Sequence, residues 1–215
     1  MLLSILCVST MKNRALPFIE ELKTAANYIG AEFVLVRDGI DVHSAGYIES
    51  ILDEAVEWTH GSYVLRIDDD EKLSAAMVMW LKQEEYKRHN AWAFPRPPLW
   101  PDAKTMLVGF PTLKLFPDFQ LRLTTREIKW PNQIHRVAHV PCLLAPVMIE
   151  HHAFLAKTYD ERRALTAEYE TIKTGRVFVA ADVDKVMPED WSDPELLPYD
   201  GSMGWAWTVQ KEVSA

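Results

Sequence analysis

Four consecutive acids, Asp68-Asp69-Asp70-Glu71, follow directly on the β-rich run Ser62-Tyr63-Val64-Leu65-Arg66-Ile67. Ligands of open α/β sheets gather at the carboxyl ends of strands, so a knot of carboxylates there is a place where chemistry is expected. If the extended geometry persists, side-chain alternation puts Asp68 and Asp70 on one side and Asp69 on the other. Two carboxylates on one side suit a hard divalent cation such as Mg²⁺ or Mn²⁺, which takes oxygen ligands and commonly completes its shell with substrate phosphates. The same acids read equally well as a solvated turn capping a helix that begins near Ser74, because negative charge is favoured at helix N-termini.

Three other places carry suitable residue types. Asp38 ends a second strand at the same rim, although a turn aspartate before Gly39 has the same appearance. Ser9-Thr10-Met11-Lys12-Asn13-Arg14 leaves the first strand with hydroxyl, amide and cationic groups suited to a nucleotide, or forms an ordinary N-cap and turn. Within Trp130-Pro131-Asn132-Gln133-Ile134-His135-Arg136, the His135 imidazole either completes a metal shell from a distant part of the chain or is structural.

The elements that position these groups alternate between short β-rich runs and helical periodicities, the pattern of a parallel sheet with crossover helices. Strands are expected over Leu2–Val8, Ala31–Val36 and Ser62–Ile67. A first helix over 15–29 turns Leu16, Ile19, Leu22, Ala26 and Ile29 inward and ends at Gly30. A second is defined by Ile48, Ile51, Leu52, Ala55 and Val56 and closed by Gly61; a third places Ala76, Met77, Trp80 and Leu81 inward. Beyond residue 90, Pro95, Pro97, Pro98, Pro101, Pro111, Pro117 and Pro131 punctuate short runs, so this half is expected to be mixed β and loop. Helical spacing returns over 157–174. The segment 175–215, with Trp191, Trp205 and Trp207, reads as a tail or lid that packs through its indoles.

Composition bounds the function. The 215 residues are 48% hydrophobic and carry a formal charge of −8, which excludes a disordered or fibrous chain and any global basic field for nucleic acid or anionic membrane. Basic residues are dispersed, with Lys82, Lys87 and Arg88 the nearest approach to a patch. No stretch reaches the roughly 20 apolar residues of a membrane span. Two cysteines, Cys7 and Cys142, make no disulfide framework, and a reduced, cytoplasmic setting is expected.

Taken in order, Thr10 with Asn13-Arg14, Asp38, and Asp68-Asp69-Asp70-Glu71 resemble the nucleotide-sugar half of a GT-A glycosyltransferase of the family 2 type. Further on, Phe116-Pro117-Asp118-Phe119-Gln120-Leu121-Arg122-Leu123, Ile128 to His135, and Glu150-His151-His152 are similar to blocks of the branch that includes lipopolysaccharide-core glucosyltransferases. The resemblance spans residues 2–174, divided into a donor half at 1–90 and an acceptor half at 91–174. It implies a Rossmann-like, mainly parallel sheet flanked by helices, with a mixed β and loop acceptor half.

The resemblance also implies roles. Asp68 and Asp70 would hold Mn²⁺ or Mg²⁺, with His135 a third ligand. Thr10, Arg14, Asp38, Asp68 and Arg122 would contact the nucleotide diphosphate sugar. The pattern departs at Arg136, where the family has a glutamate suited to general-base work, so Glu71, Asp118 and Glu150 are the candidate bases. The expected reaction is transfer of a sugar, UDP-linked and with inversion, to a saccharide or small-molecule hydroxyl. A hydroxymethylated base in DNA is the alternative acceptor, disfavoured by the charge. A nucleotidyltransferase would use a similar sheet but needs a Gly-rich loop after the first strand, which is missing here. A non-catalytic nucleotide- or carbohydrate-binding module is the remaining reading. Trp92, Trp100 and Trp130 either stack on sugar rings or are core indoles.

Overall fold

The computed structural model describes residues 2–9, 14–37, 51–110, 113–130, 140–164 and 187–201. Its main sheet is built, in spatial order, from β2 (Glu32–Arg37), β1 (Leu3–Ser9), β3 (Tyr63–Asp68), β8 (Phe119–Thr125), β5 (Ala91–Pro95) and β9 (Leu143–Leu144). β1 pairs in parallel with β2 and β3, β8 lies antiparallel to β3 and β5, and β9 is parallel to β5. One strand, β8, therefore runs against the other five. This is the mainly parallel α/β sheet flanked by helices that the alternation of elements implies.

The central strand β1 is buried along its whole length, as a strand covered on both faces must be. Alternation divides its side chains between two cores. Leu3, Ile5 and Cys7 pack towards α1 (Leu16–Ile29) and α3 (Ala75–Lys82), whereas Leu6 and Val8 pack towards α2 (Leu52–Glu57). The inward face of α1 is Ile19, Leu22 and Ala26; Leu16, expected inside, is the first residue of the helix and is 42% exposed. Gly30 ends α1 with φ of 84°, a left-handed conformation that costs glycine little. Ser74 caps α3, its Oγ accepting from the Met77 amide at 3.2 Å.

Gly61 does not close α2, which ends at Glu57. Its role is close approach: a Cβ there would lie 2.6 Å from the Ser4 amide nitrogen of β1. The Gly61 amide donates to Ser4 Oγ at 2.8 Å, and that hydroxyl donates to Glu32, so one buried serine ties β1, β2 and the entry to β3.

The second half is mixed β and loop, as the prolines suggest. A short ribbon pairs β4 (Glu71–Leu73) antiparallel with β10 (Ile149–His151). A three-stranded sheet sets β6 (Thr105–Phe110) between β11 (Glu195–Pro198) and β7 (Leu113–Lys114). β11 thus joins part of the C-terminal segment to the body, and Trp191 stacks on Phe110 with ring centroids 4.3 Å apart. Trp205 and Trp207 lie outside the described residues. A four-residue helix, α4 (Ala153–Ala156), follows β10, and 159–164 is helical where helical spacing is expected. Trp92 and Trp130 are core indoles, 6% and 5% exposed. Trp80 meets Trp92 edge-on at 5.1 Å and Phe94 at 5.8 Å. Cys7 is buried and Cys142 exposed, both as free thiols. Among the described residues, no helix is long and apolar enough to cross a membrane.

Replacing Gly61 with alanine forces a methyl group into the β1 backbone. Overpacking of this kind costs about 1–3 kcal/mol, so Gly61→Ala is expected to lower the urea midpoint at unchanged slope. A midpoint equal to that of the wild type would contradict the close-approach role.

Candidate active site

The extended backbone of β3 ends at Asp68, and Asp69-Asp70 form a turn before β4 begins at Glu71. The turn breaks the alternation that would have set Asp68 and Asp70 side by side, and each of the four acids acquires a different environment.

Glu71 is fully buried. Its Oε1 accepts from Arg122 at 2.6 Å and from Arg96 at 2.8 Å, while Oε2 accepts from the Asp68 amide at 2.9 Å. Asp68 receives Arg122 on Oδ2 at 2.6 Å and Arg66 on Oδ1 at 3.1 Å. Burial pushes the Asp68 pKa up, but Arg122, Arg66 and Arg96 together outweigh it and hold the carboxyl well below the usual range. Asp118 completes the network: Arg96 donates to its Oδ2 through Nε at 3.3 Å and Nη2 at 3.2 Å, and Gln120 donates to Oδ1 at 2.7 Å. Three guanidinium groups, those of Arg66, Arg96 and Arg122, thus stand against three carboxylates, those of Asp68, Glu71 and Asp118. Arg66 also lies over Trp130, 5.9 Å from the ring centroid.

Asp70 turns the other way. Its Oδ2 ion-pairs with Lys157 and its Oδ1 lies 3.9 Å from His151 Nε2. Burial raises its pKa, yet Lys157 first and His151 second bring it down to about 2. Asp69 is half-buried and accepts from Ser9 Oγ, at the carboxyl end of β1, at 2.7 Å. Its pKa is raised, mainly by burial and then by the Asp70 charge, with the Ser9 hydrogen bond opposing. Beneath the turn, burial pushes the Cys7 thiol far up, and Asp69 and Asp68 add to it. That thiol is therefore neutral and inert.

The β4–β10 ribbon sorts the remaining candidates. Glu71 is opposite His151 and Lys72 opposite Glu150, so Glu150 projects from the face away from Glu71. There its Oε2 meets His152 Nε2 at 3.1 Å and its Oε1 accepts from the Tyr199 hydroxyl at 3.1 Å. Burial and the Glu150 charge raise the Tyr199 pKa, so the phenol stays a donor. Of the three candidate bases, Glu71 has no exposure, Asp118 is held on both oxygens by Arg96 and Gln120, and Glu150 faces elsewhere. Arg14 ion-pairs with Glu161, linking the approach to α1 to the 159–164 helix rather than to the acids. Thr10, Asp38, His135 and Arg136 lie outside the described residues.

Among the described residues, the donor set does not match the divalent cation that the resemblance implies. Asp68 has both oxygens on guanidinium groups, Asp70 faces an ammonium, and among the described residues no group of three or more His, Cys, Asp and Glu side chains is disposed to hold a metal ion. Reasoning from sequence missed Arg66, Arg96 and Lys157, and gave His151 no role beyond its block. Arg66 had a readable signal, since a charge inside an apolar strand must find a buried partner. Lys157 had none, because its partner is set only by the fold.

No protein-family model and no curated protein matches the chain. Among solved structures it is similar to a glycosyltransferase involved in the glycosylation of the major capsid of PBCV-1, at 9% identity over 78% of this chain and 100% of that one, with a TM-score of 0.42. It is similar also to S. aureus TarS 1-349 in complex with UDP-GlcNAc, at 9% identity over 86% of this chain and 69% of that one, TM-score 0.42. A third likeness is to the bifunctional IspDF from Campylobacter jejuni, at 11% identity over 77% and 54% of the two chains, TM-score 0.38. Likenesses this distant carry no functional argument, and the site's own chemistry has to supply it.

Two stability predictions follow from the network. Glu71→Ala leaves Arg96 and Arg122 buried without their shared anion and is expected to cost about 3–5 kcal/mol in urea unfolding, against under 1 kcal/mol for an exposed acid. Asp70 has a depressed folded pKa, so its contribution is present above the unfolded value of about 3.9 and is lost as pH falls towards about 2. Urea midpoints measured from pH 5 down to pH 2 are expected to fall in the wild type, with Asp70→Asn removing on the order of 2 kcal/mol of that dependence.

Proposed function

We propose that the protein transfers a sugar from a nucleotide diphosphate sugar, UDP-linked, to the hydroxyl of a saccharide or small-molecule acceptor, with inversion at the anomeric carbon. The observation that carries this reading is the convergence of three sequence blocks on one corner of the fold. Asp68 and Glu71 of the acidic run, Asp118, Gln120 and Arg122 of the second block, and His151 of the third all meet around the end of β3. Those blocks are among the ones on which the resemblance to family 2 glycosyltransferases rests. The meeting point is also the carboxyl edge of parallel strands β1 and β3, the rim where open α/β sheets bind ligands.

In the proposed reaction the bond from the anomeric carbon to the diphosphate oxygen breaks and its electron pair leaves with the diphosphate. The acceptor oxygen forms the new bond to that carbon, and its proton passes to a carboxylate. Asp69 is the carboxylate we assign to that step. It stands at the rim, is half-buried rather than enclosed, and belongs to neither the guanidinium network nor the Lys157 pair. A cationic side chain at the leaving group stabilises the charge that develops on it.

The test is incubation with a panel of nucleotide sugars, with and without candidate saccharides, reading nucleoside diphosphate release and product mass. Turnover of a nucleotide sugar is the expected result, and Asp69→Asn is expected to lower kcat by about 10²–10⁴-fold with little change in donor KM. Release of pyrophosphate from a nucleoside triphosphate, with every nucleotide sugar untouched, would replace this reading with nucleotidyl transfer.

A further inference from the structure

We infer that Lys157 supplies the fixed positive charge that receives the donor diphosphate, in the role that the resemblance gives to a divalent cation. The inference rests on the function proposed above and adds a residue to it.

The argument begins with charge. Asp68, Glu71 and Asp118 are matched one for one by Arg66, Arg96 and Arg122 in a buried network. What remains at the rim is Asp69 and Asp70, with Lys157 acting electrostatically on both. The two aspartates and the ammonium together carry one net negative charge, far less than four acids in a row suggest. An ammonium already stands on Asp70, where a bound cation would have to stand.

Lys157 is also held in place from behind. It follows α4 in extended conformation, and its carbonyl accepts from Arg162 Nη1 at 2.6 Å. Arg162 is 4% exposed and donates as well to the Phe154 carbonyl at 3.2 Å. It also ion-pairs with Glu189 and lies over the Phe154 ring at 5.6 Å. A buried arginine with four such contacts fixes the corner from which the lysine reaches the acids, so the ammonium is delivered from a rigid support rather than from a surface chain. Its side chain is 16% exposed, which leaves the charge weakly screened while still reachable from the rim.

The chemistry suits the position. An ammonium is a compact charge with three N–H donors, so it can bridge a carboxylate and a phosphate oxygen. As the anomeric bond breaks and its electrons pass to the diphosphate, Lys157 meets that charge by hydrogen bonding and keeps its proton. The acceptor proton goes separately to Asp69 and then to solvent. Asp70 in this scheme aims the lysine.

The experiment uses the full chain with UDP and inorganic pyrophosphate as probes, followed by titration calorimetry in EDTA and again with Mn²⁺. The wild type is expected to bind both probes in EDTA, with affinities within about threefold of those in Mn²⁺. Lys157→Met is expected to weaken both by about tenfold or more, as loss of a charge-assisted hydrogen bond does, and Lys157→Arg to restore most of the affinity. Lys157→Met also leaves Asp70 without its partner and is expected to lower the thermal midpoint, so uridine binding that stays near wild type at the assay temperature is what separates loss of a phosphate contact from loss of fold. Abolition of pyrophosphate binding by EDTA in the wild type, or wild-type affinity in Lys157→Met, would overturn the assignment. Lys157-dependent pyrophosphate binding without turnover of any nucleotide sugar would instead count against sugar transfer and leave the Lys157 assignment standing.

Discussion

A single buried carboxylate holds the second half of this chain against the first. Glu71 gathers the Asp68 amide, Arg122 and Arg96, and so joins the end of β3, the strand β8 beside it and the segment leaving β5. A carboxylate without exposure is tolerable only when its desolvation is met by well-placed donors, and a partly satisfied network is worse than an apolar core. The consequence is geometric. With Glu71 pinned, the turn at 69–70 has to fit between β3 and β4, and that turn is what sends Asp68 towards the arginines and Asp70 towards Lys157.

The ribbon of β4 and β10 extends the same constraint. Because Glu71 and His151 share one face of it, Glu150 and His152 are committed to the other, where Tyr199 completes their hydrogen bonding and Phe18 meets the His152 ring edge-on at 5.4 Å. Tyr199 comes from the segment that supplies β11, so the C-terminal strand supports the back of the ribbon while the arginines support its front. The ribbon's two faces are thereby assigned different tasks: one contributes to the acidic rim, and the other packs the rim's support against α1.

How much of this was readable in the sequence depends on how local each determinant is. β1, α1, β2, β3 and α3 follow from runs and periodicities that need no knowledge of distant residues, and the structure has them within a residue or two. Gly61 was misread because glycine gives the same signal at a helix end as at a close backbone approach, and only the neighbouring strand tells them apart. β4 was invisible: Glu-Lys-Leu carries no strand signature, and its pairing comes from β10, far along the chain. The acidic run was correctly placed at the rim, but the expected partnership of Asp68 with Asp70 assumed an extended backbone that the Glu71 network does not permit. Arg96 and Lys157 drew no notice because their importance lies wholly in what the fold brings to them.

The electrostatic character of the rim changes accordingly. A formal charge of −8 and five acids near one edge suggest a surface that repels any anion until a metal arrives. Four of the five, however, are spoken for by side chains of the chain itself: Asp68, Glu71 and Asp118 by arginines and Asp70 by a lysine. Ion pairs this enclosed respond little to salt, unlike charges spread over an open surface. The acidity of the whole molecule therefore says little about what the rim accepts. Selection of an anionic ligand falls to the few groups that face it, Asp69 and the Asp70–Lys157 pair, and the buried arginines act on it only through the geometry they impose.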